Sequence, residues 1–325
     1  MQVVSERDGS DPELVSLIMP VWQPCGPWLQ QAVHSCLSQT HSNLELIVVD
    51  DGCAEPVASL LRGFDDPRLR ILRTPHAGVS NARNAGIAAA GGRWIRFVDA
   101  DDVLPPASTT MLLQSASPAF PIVYGQTKVC DEQLRPLRTM TCRRDGEVLI
   151  AGITGELDIM LQAMLFDRAV VASARAFDPA LELMEDHDFV LRATAEVRVR
   201  SVDEIVYVYR QHSASSSRQG SLDHSVECWS YVRDRFFERH PELEDRLKPR
   251  VDALIQLQRA RALAAGGELR LALATVLRAF AAAPAKSALT GASILRGALR
   301  PSRWGNNARP IARSADKAVS RSTTP

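Results

Sequence analysis

Three aspartates fall within four positions of the segment RWIRFVDADDVLPP, residues 93–106: Asp99, Asp101 and Asp102. Carboxylates this close repel one another, and such a cluster suits a bound cation or a shared proton. The structural alternative is that Asp101 or Asp102 caps a helix starting near Pro105, a position where aspartate is favoured. Two further acidic pairs stand nearby in the pattern. Asp50 and Asp51 close the apolar run LELIVVD, and Glu185 and Asp186 lie in ELMEDHD, ahead of a helix expected over 186–195.

The elements that must position these groups are legible as alternating strands and helices. LVSLIMPV and LELIVVD are continuous apolar runs of strand length, the pattern of a parallel sheet covered on both faces. Between them PWLQQAVHSCLSQT places Leu29, Val33, Cys36 and Leu37 at helical spacing, with Pro27 suited to the first turn. RLRILRT, a helix over 79–90 and RWIRFVD repeat the unit, and Gly91–Gly92 sit where a helix cap is expected. The fold class is therefore α/β, an open, doubly wound, mainly parallel sheet flanked by helices. In such sheets the ligand crevice lies beyond the carboxyl ends of the strands, which is where Asp50, Asp51 and the 99–102 cluster fall.

Beyond residue 120 the segments shorten. IVYGQTKVC and RPLRTMTC read as extended, VRVRSVDEIVYVYRQH alternates like a strand, and SASSSRQGS over 213–221 is a flexible boundary. Helices follow near 222–239, 249–265, 268–282 and 286–299, and the last residues read as disordered.

Composition narrows the class. The chain has 325 residues, 46% hydrophobic and 23% charged, which fits a soluble protein with a catalytic-size domain and an accessory piece. Formal net charge is zero, so no global field recruits nucleic acid. The last forty residues are nevertheless basic: Lys286, Arg296, Arg300, Arg303, Arg309, Arg313, Lys317 and Arg321 stand against Asp316 alone. No apolar run is long enough to span a bilayer and the N-terminus lacks a signal-peptide pattern, so a cytoplasmic setting is expected. Six scattered cysteines without a CxxC pair speak against zinc and disulfides, and Cys25 and Cys36 read as buried apolar fillers.

The segments VSLIMPVW, SCLSQTHSNLELIVVDDGC, GVSNARNAGIAAAGGRWIRFVDADD, MEDHDFVLR and YRQHSAS, in this order, resemble the successive motifs of family 2 glycosyltransferases over about residues 14–218. The resemblance implies a GT-A fold, with a nucleotide-binding half over 14–125 and an acceptor half over 126–218. A flexible start over 1–13, a helical extension over 219–300 and a basic tail over 301–325 complete the expected division. The implied activity is inverting transfer of a sugar from a nucleotide-diphosphate donor, with UDP-sugars favoured, to an acceptor hydroxyl in polysaccharide, lipopolysaccharide or other glycan synthesis.

Residue by residue, the resemblance assigns Pro20, Val21 and Asp51 to the nucleobase and Arg83 to base and diphosphate. Asp99 faces the ribose, Asp101 binds Mn²⁺ or Mg²⁺, and Asp186 is the catalytic base. Asp102 is expected to cap or support the turn. His212 matches a metal or diphosphate position, and Arg210 either contacts phosphate or pairs with a carboxylate. His187 and Asp188 read as surface residues or as part of the acceptor site. The chain departs from the pattern at Trp22, Gln23 and Cys53, which bears on base recognition.

The helical C-terminus has two readings: a cap packed on the catalytic domain, or a basic amphipathic surface in weak peripheral contact with the membrane's inner face. Other functions are a metal-dependent phosphotransferase or an inactive nucleotide-sugar-binding relative. A dehydrogenase and a P-loop enzyme are excluded by the absence of GxGxxG and GxxxxGK(S/T).

Overall fold

The apolar runs become strands because helices cover both of their faces. The computed structural model describes residues 13–157, 159–212, 222–265 and 267–282. The expectations for residues 1–12, the 213–221 boundary, the helix near 286–299 and the 301–325 tail lie outside these. Strands β1 (Val15–Val21), β2 (Leu44–Asp51), β3 (Leu69–Thr74) and β4 (Trp94–Phe97) pair in parallel in the spatial order β3-β2-β1-β4. Helix α1 (Gly26–Leu37), the single turn α2 (Val57–Leu60) and helix α3 (Val79–Ala89) connect them. In α3, a side chain at Gly86 would collide with Ile18 of β1, so glycine lets this helix lie flush on the sheet.

After α4 (Ser108–Ser115), strand β5 (Ile122–Cys130) runs parallel to β4 but does not touch it. Strand β7 (Met164–Asp167) lies between them, antiparallel to both, with Ile95 and Ile122 each opposite Phe166. Strand β6 (Pro136–Met140) pairs with the outer half of β5, and β8 (Val199–Arg210) runs parallel along its other edge. Helices α5 (Leu149–Ile153), α6 (Arg168–Ser173) and α7 (Glu185–Ala193) pack beneath. The carboxyl ends of β1, β2, β4, β5 and β8 therefore share one edge.

Two core clusters sandwich the sheet, one containing Leu17, Val48 and Leu165, the other Ile18, Ile47 and Phe97. Helices α8 (Leu222–Arg239), α9 (Glu244–Ala265) and α10 (Leu269–Ala282) form the extension. Phe236, Leu247 and Val251 from the first two join Ile153 and Leu191 in a third cluster, so these helices pack on α5 and α7. No helix among the described residues is long and apolar enough to cross a membrane.

Several local expectations are corrected. Gly91 and Gly92 are not left-handed caps, since α3 ends at extended Ala90. Gly92 is instead required because a Cβ there would sit 2.6 Å from the Leu14 carbonyl. Cys36 is buried as expected, its thiol pushed up to about 12 by desolvation, whereas Cys25 is exposed just before α1.

Candidate active site

At the ends of β1 and β2, the two aspartates of the DDG sequence have different tasks. Buried Asp50 accepts the Cys53 and Val57 N–H groups at 2.8 and 3.0 Å and pairs with Arg73 at 2.8 Å. Burial opposes its charge, but these donors hold its carboxyl below the usual range. Asp51 accepts the Ala77 and Gly78 N–H groups at 2.9 and 3.0 Å and lies 2.8 Å from His76 Nδ1. Gly52 (φ +71°) permits this approach, because a Cβ there would lie 2.7 Å from the His76 backbone nitrogen. His76 in turn stacks on exposed Trp22, with ring centroids 4.7 Å apart and planes 13° apart. A cavity of about 550 Å³ opens here, lined by Pro20, Val21, Trp22, Asp51, His76 and Glu182 among others.

The acidic turn follows β4 and is fixed from behind. Arg96, fully buried in β4, donates to Ser108 Oγ at 2.9 Å, Thr109 Oγ1 at 3.2 Å and the Val206 carbonyl at 2.6 Å. Desolvation lowers its guanidinium to about 10. Gln39, just beyond α1, accepts from Ser108 and Thr109 and donates to the carbonyls of Ser35 and Pro105. Asp102 is buried and takes a short hydrogen bond from Tyr207 Oη and one from the Arg210 N–H at 2.6 Å. Burial first, then Asp101 and Asp99, push its carboxyl well up. It supports the turn as expected but caps nothing, since α4 begins later, behind Ala107.

Arg210 donates to the Asp101 carbonyl at 2.7 Å, the Glu132 carbonyl at 2.6 Å and Gln31 Oε1 at 2.5 Å, with its guanidinium over the Trp28 ring. In this geometry it braces the turn from β8. Asp101 is partly exposed, and His212 Nε2 lies 2.8 Å from its Oδ2, with the imidazole against Trp28.

Asp99 lies just beyond the end of β4. It accepts from Gln162 Nε2 at 2.6 Å and pairs with Arg83 at 3.3 Å. Burial raises its carboxyl to about 6, opposed by Arg83 and assisted by Asp101 and Asp186. Arg83, buried on α3, also pairs with Glu185 at 2.7 Å and lies over the Phe177 ring. Glu185 and Asp186 open α7, immediately after Met184, whose φ of +65° turns the chain sharply into the helix. Desolvation and Asp186 raise Glu185, with Arg83 opposing.

The structure thus brings Asp99, Asp101, Arg83, Glu185 and Asp186 into one electrostatic neighbourhood, and places Pro20, Val21 and Asp51 on an adjoining cavity. Asp188 is not a surface residue, and His187 is half-buried. The His187 ring packs on Trp229, and buried Asp188 pairs with Arg192 and Arg239. Gln162, His76 and Tyr207 carried no sequence signal; Arg96 did, as a lone cation inside an apolar strand.

No three His, Cys, Asp or Glu side chains among the described residues form a complete metal cage. The donor set fits a hard divalent cation whose remaining ligands come from outside the chain: Asp101 offers a carboxylate oxygen and His212 an imidazole at 2.8 Å. A separate cavity of about 780 Å³, lined by Arg93, Asp167, Arg192 and Arg239 among others, opens at the opposite strand ends, away from these carboxylates.

Residues 16–168 match the family model described as glycosyl transferase family 2. The chain is 30% identical over 215 residues to "Uncharacterized glycosyltransferase EpsJ" of Bacillus subtilis, covering 62% of each protein. It is 28% identical over 227 residues to "Succinoglycan biosynthesis protein ExoO" of Rhizobium meliloti, covering 65% of this chain and 64% of that one. The chain therefore spans slightly under two thirds of these relatives' lengths. Among solved structures, S. aureus TarS 1-349 in complex with UDP-GlcNAc superposes with a TM-score of 0.56 at 15% identity, over 87% of this chain and 90% of that one. That likeness establishes a shared fold.

Proposed function

We propose that the chain, whose residues 16–168 match the glycosyl transferase family 2 model, transfers a sugar from a nucleotide-diphosphate donor, with UDP-sugars favoured, to an acceptor hydroxyl with inversion. The observation that carries the reading is the convergence of Asp99, Asp101 and Asp186 at one sheet edge, beside the cavity bounded by Asp51. The nucleobase occupies that cavity, against Pro20, Val21 and the Trp22–His76 pair, with Asp51 toward its polar edge. Asp99 faces the ribose. The UDP-GlcNAc complex of the TarS neighbour supports a donor of this class.

Asp101 and His212 would hold Mn²⁺ or Mg²⁺. When bound, the cation supplies charge neutralisation for the departing diphosphate. Asp186 accepts the proton of the acceptor hydroxyl as that oxygen attacks the anomeric carbon. Arg83 keeps Glu185 and Asp99 in fixed relation, and Arg210 keeps the acidic turn on β8. The succinoglycan biosynthesis relative supports a role in glycan assembly.

The test is incubation with a panel of nucleotide sugars and Mn²⁺, following release of nucleoside diphosphate with and without glycan acceptors. Release with one donor, stimulated by acceptor and metal, is the expected result. Failure of every nucleotide sugar to bind at millimolar concentration with metal present overturns it.

A further inference from the structure

Helix α10 buries one face and leaves an apolar one uncovered. Ala272, Thr275, Val276 and Ala279 are buried, with Val276 and Ala279 packed among Ala253, Leu257 and Ala260 of α9. Beside that face, Leu269, Leu273, Leu277 and Phe280 recur at spacings of four, four and three, so they form a single stripe along the helix. They are exposed by 44%, 43%, 60% and 45%. Scattered exposed leucines are ordinary on soluble proteins, but four aligned large apolar side chains on one helix mark a contact surface.

The charges around the stripe select the partner. Helix α10 has Arg270 and Arg278 and no acidic residue. The sequence that continues from it, residues 283–325, adds the eight basic residues named above against Asp316. A second copy meeting the stripe face to face would bring these cations against one another. An acidic apolar surface has no such conflict, and a bilayer with anionic headgroups offers both components: acyl chains for the stripe and phosphates for the arginines.

We propose that the Leu269–Phe280 stripe of α10 seats the protein on an anionic lipid surface, with Arg270, one turn before Leu273, at headgroup level. The stripe is one side of a single helix, so the contact is peripheral and reversible. This proposal does not depend on the sugar-transfer reading, because lipid binding is measured without donor or acceptor.

The experiment is sedimentation of the full chain with vesicles of phosphatidylcholine alone or containing roughly one third phosphatidylglycerol. The expected result is binding to the anionic vesicles only, weakened by salt. Leu277→Glu/Phe280→Glu should reduce that binding about tenfold or more with helicity and thermal midpoint unchanged, since both side chains are exposed. Arg270→Glu/Arg278→Glu, which keeps the stripe, should also weaken binding and flatten its salt dependence. Absence of wild-type binding, or wild-type-like binding by the Leu277/Phe280 variant, overturns the proposal. So does concentration-dependent self-association that this variant abolishes, because a second copy then covers the stripe.

Discussion

Arg83 on α3 reaches Glu185 on α7 at 2.7 Å, and the same buried guanidinium reaches Asp99 after β4 at 3.3 Å. One side chain thus joins the strand-end carboxylate to the acidic pair that opens the helix 102 residues further along the chain. Arg83→Leu is expected to leave two carboxylates without their counter-charge and to cost about 3–5 kcal/mol of stability. Urea unfolding measures this, and the double variant Arg83→Leu/Glu185→Leu should recover part of it. A full, additive loss in the double variant would show that the two groups do not act as a pair.

Asp101 and Asp186 are expected to fail differently. Asp101→Asn should weaken metal-dependent donor binding, whereas Asp186→Asn should keep donor affinity within about twofold and lower kcat by roughly 10²–10⁴. Calorimetric titration with the donor, run beside initial rates, separates the two. Equal loss of donor binding in both variants would remove the assigned division of roles.

The buried Asp102 carboxylate depends on Tyr207 for one of its two donors. Tyr207→Phe should therefore destabilise the fold by about 1–3 kcal/mol, the usual cost of leaving a buried polar group short of a partner. Chemical denaturation at neutral pH provides the check. An unchanged midpoint would mean that Asp102 is held by the Arg210 N–H alone.

Asp99 gives a pH signature in the ligand-free protein. Its carboxyl is raised to about 6 from an ordinary value of 3.8, chiefly by burial. A raised acid favours the folded state when protonated, so its contribution is fully present below about pH 4 and is lost as pH rises through about 6. Asp99→Asn removes the ionisation, and the stability of the variant relative to wild type should rise by about 1–2 kcal/mol between pH 4 and 7.5. This is less than the full shift would give, because the side chain is 30% exposed. Thermal midpoints of both proteins across that range test it, and parallel curves would refute the raised carboxyl.

The parallel half of the sheet was legible because β1, β2 and the helix between them obey local rules: continuous apolar strands, and in α1 a proline in the first turn with apolar residues at helical spacing. Strand β7 was not, because four residues, MLFD, carry no period and become a strand only by pairing on both edges. The same limit applies to the site. Asp99, Asp101 and Asp186 stand out through clustering and motif, whereas Gln162 and His76 enter through tertiary contacts that no neighbouring residue announces. Asp188 was misread as surface because its partners, Arg192 and Arg239, lie four and fifty-one positions away, and the second of them comes from the C-terminal helices.

The brace behind the acidic turn bears on how substitutions in this chain are interpreted. Gln39 and Arg96 hold Ser108, Thr109 and Pro105 in place from the interior, and both are buried. A mutational survey scored by the rate of the proposed transfer alone will rank them beside Asp101, although both side chains are buried. Assays of folding and of turnover, run on the same variants, are what separate a residue that would meet the proposed donor from one that keeps the meeting place in register.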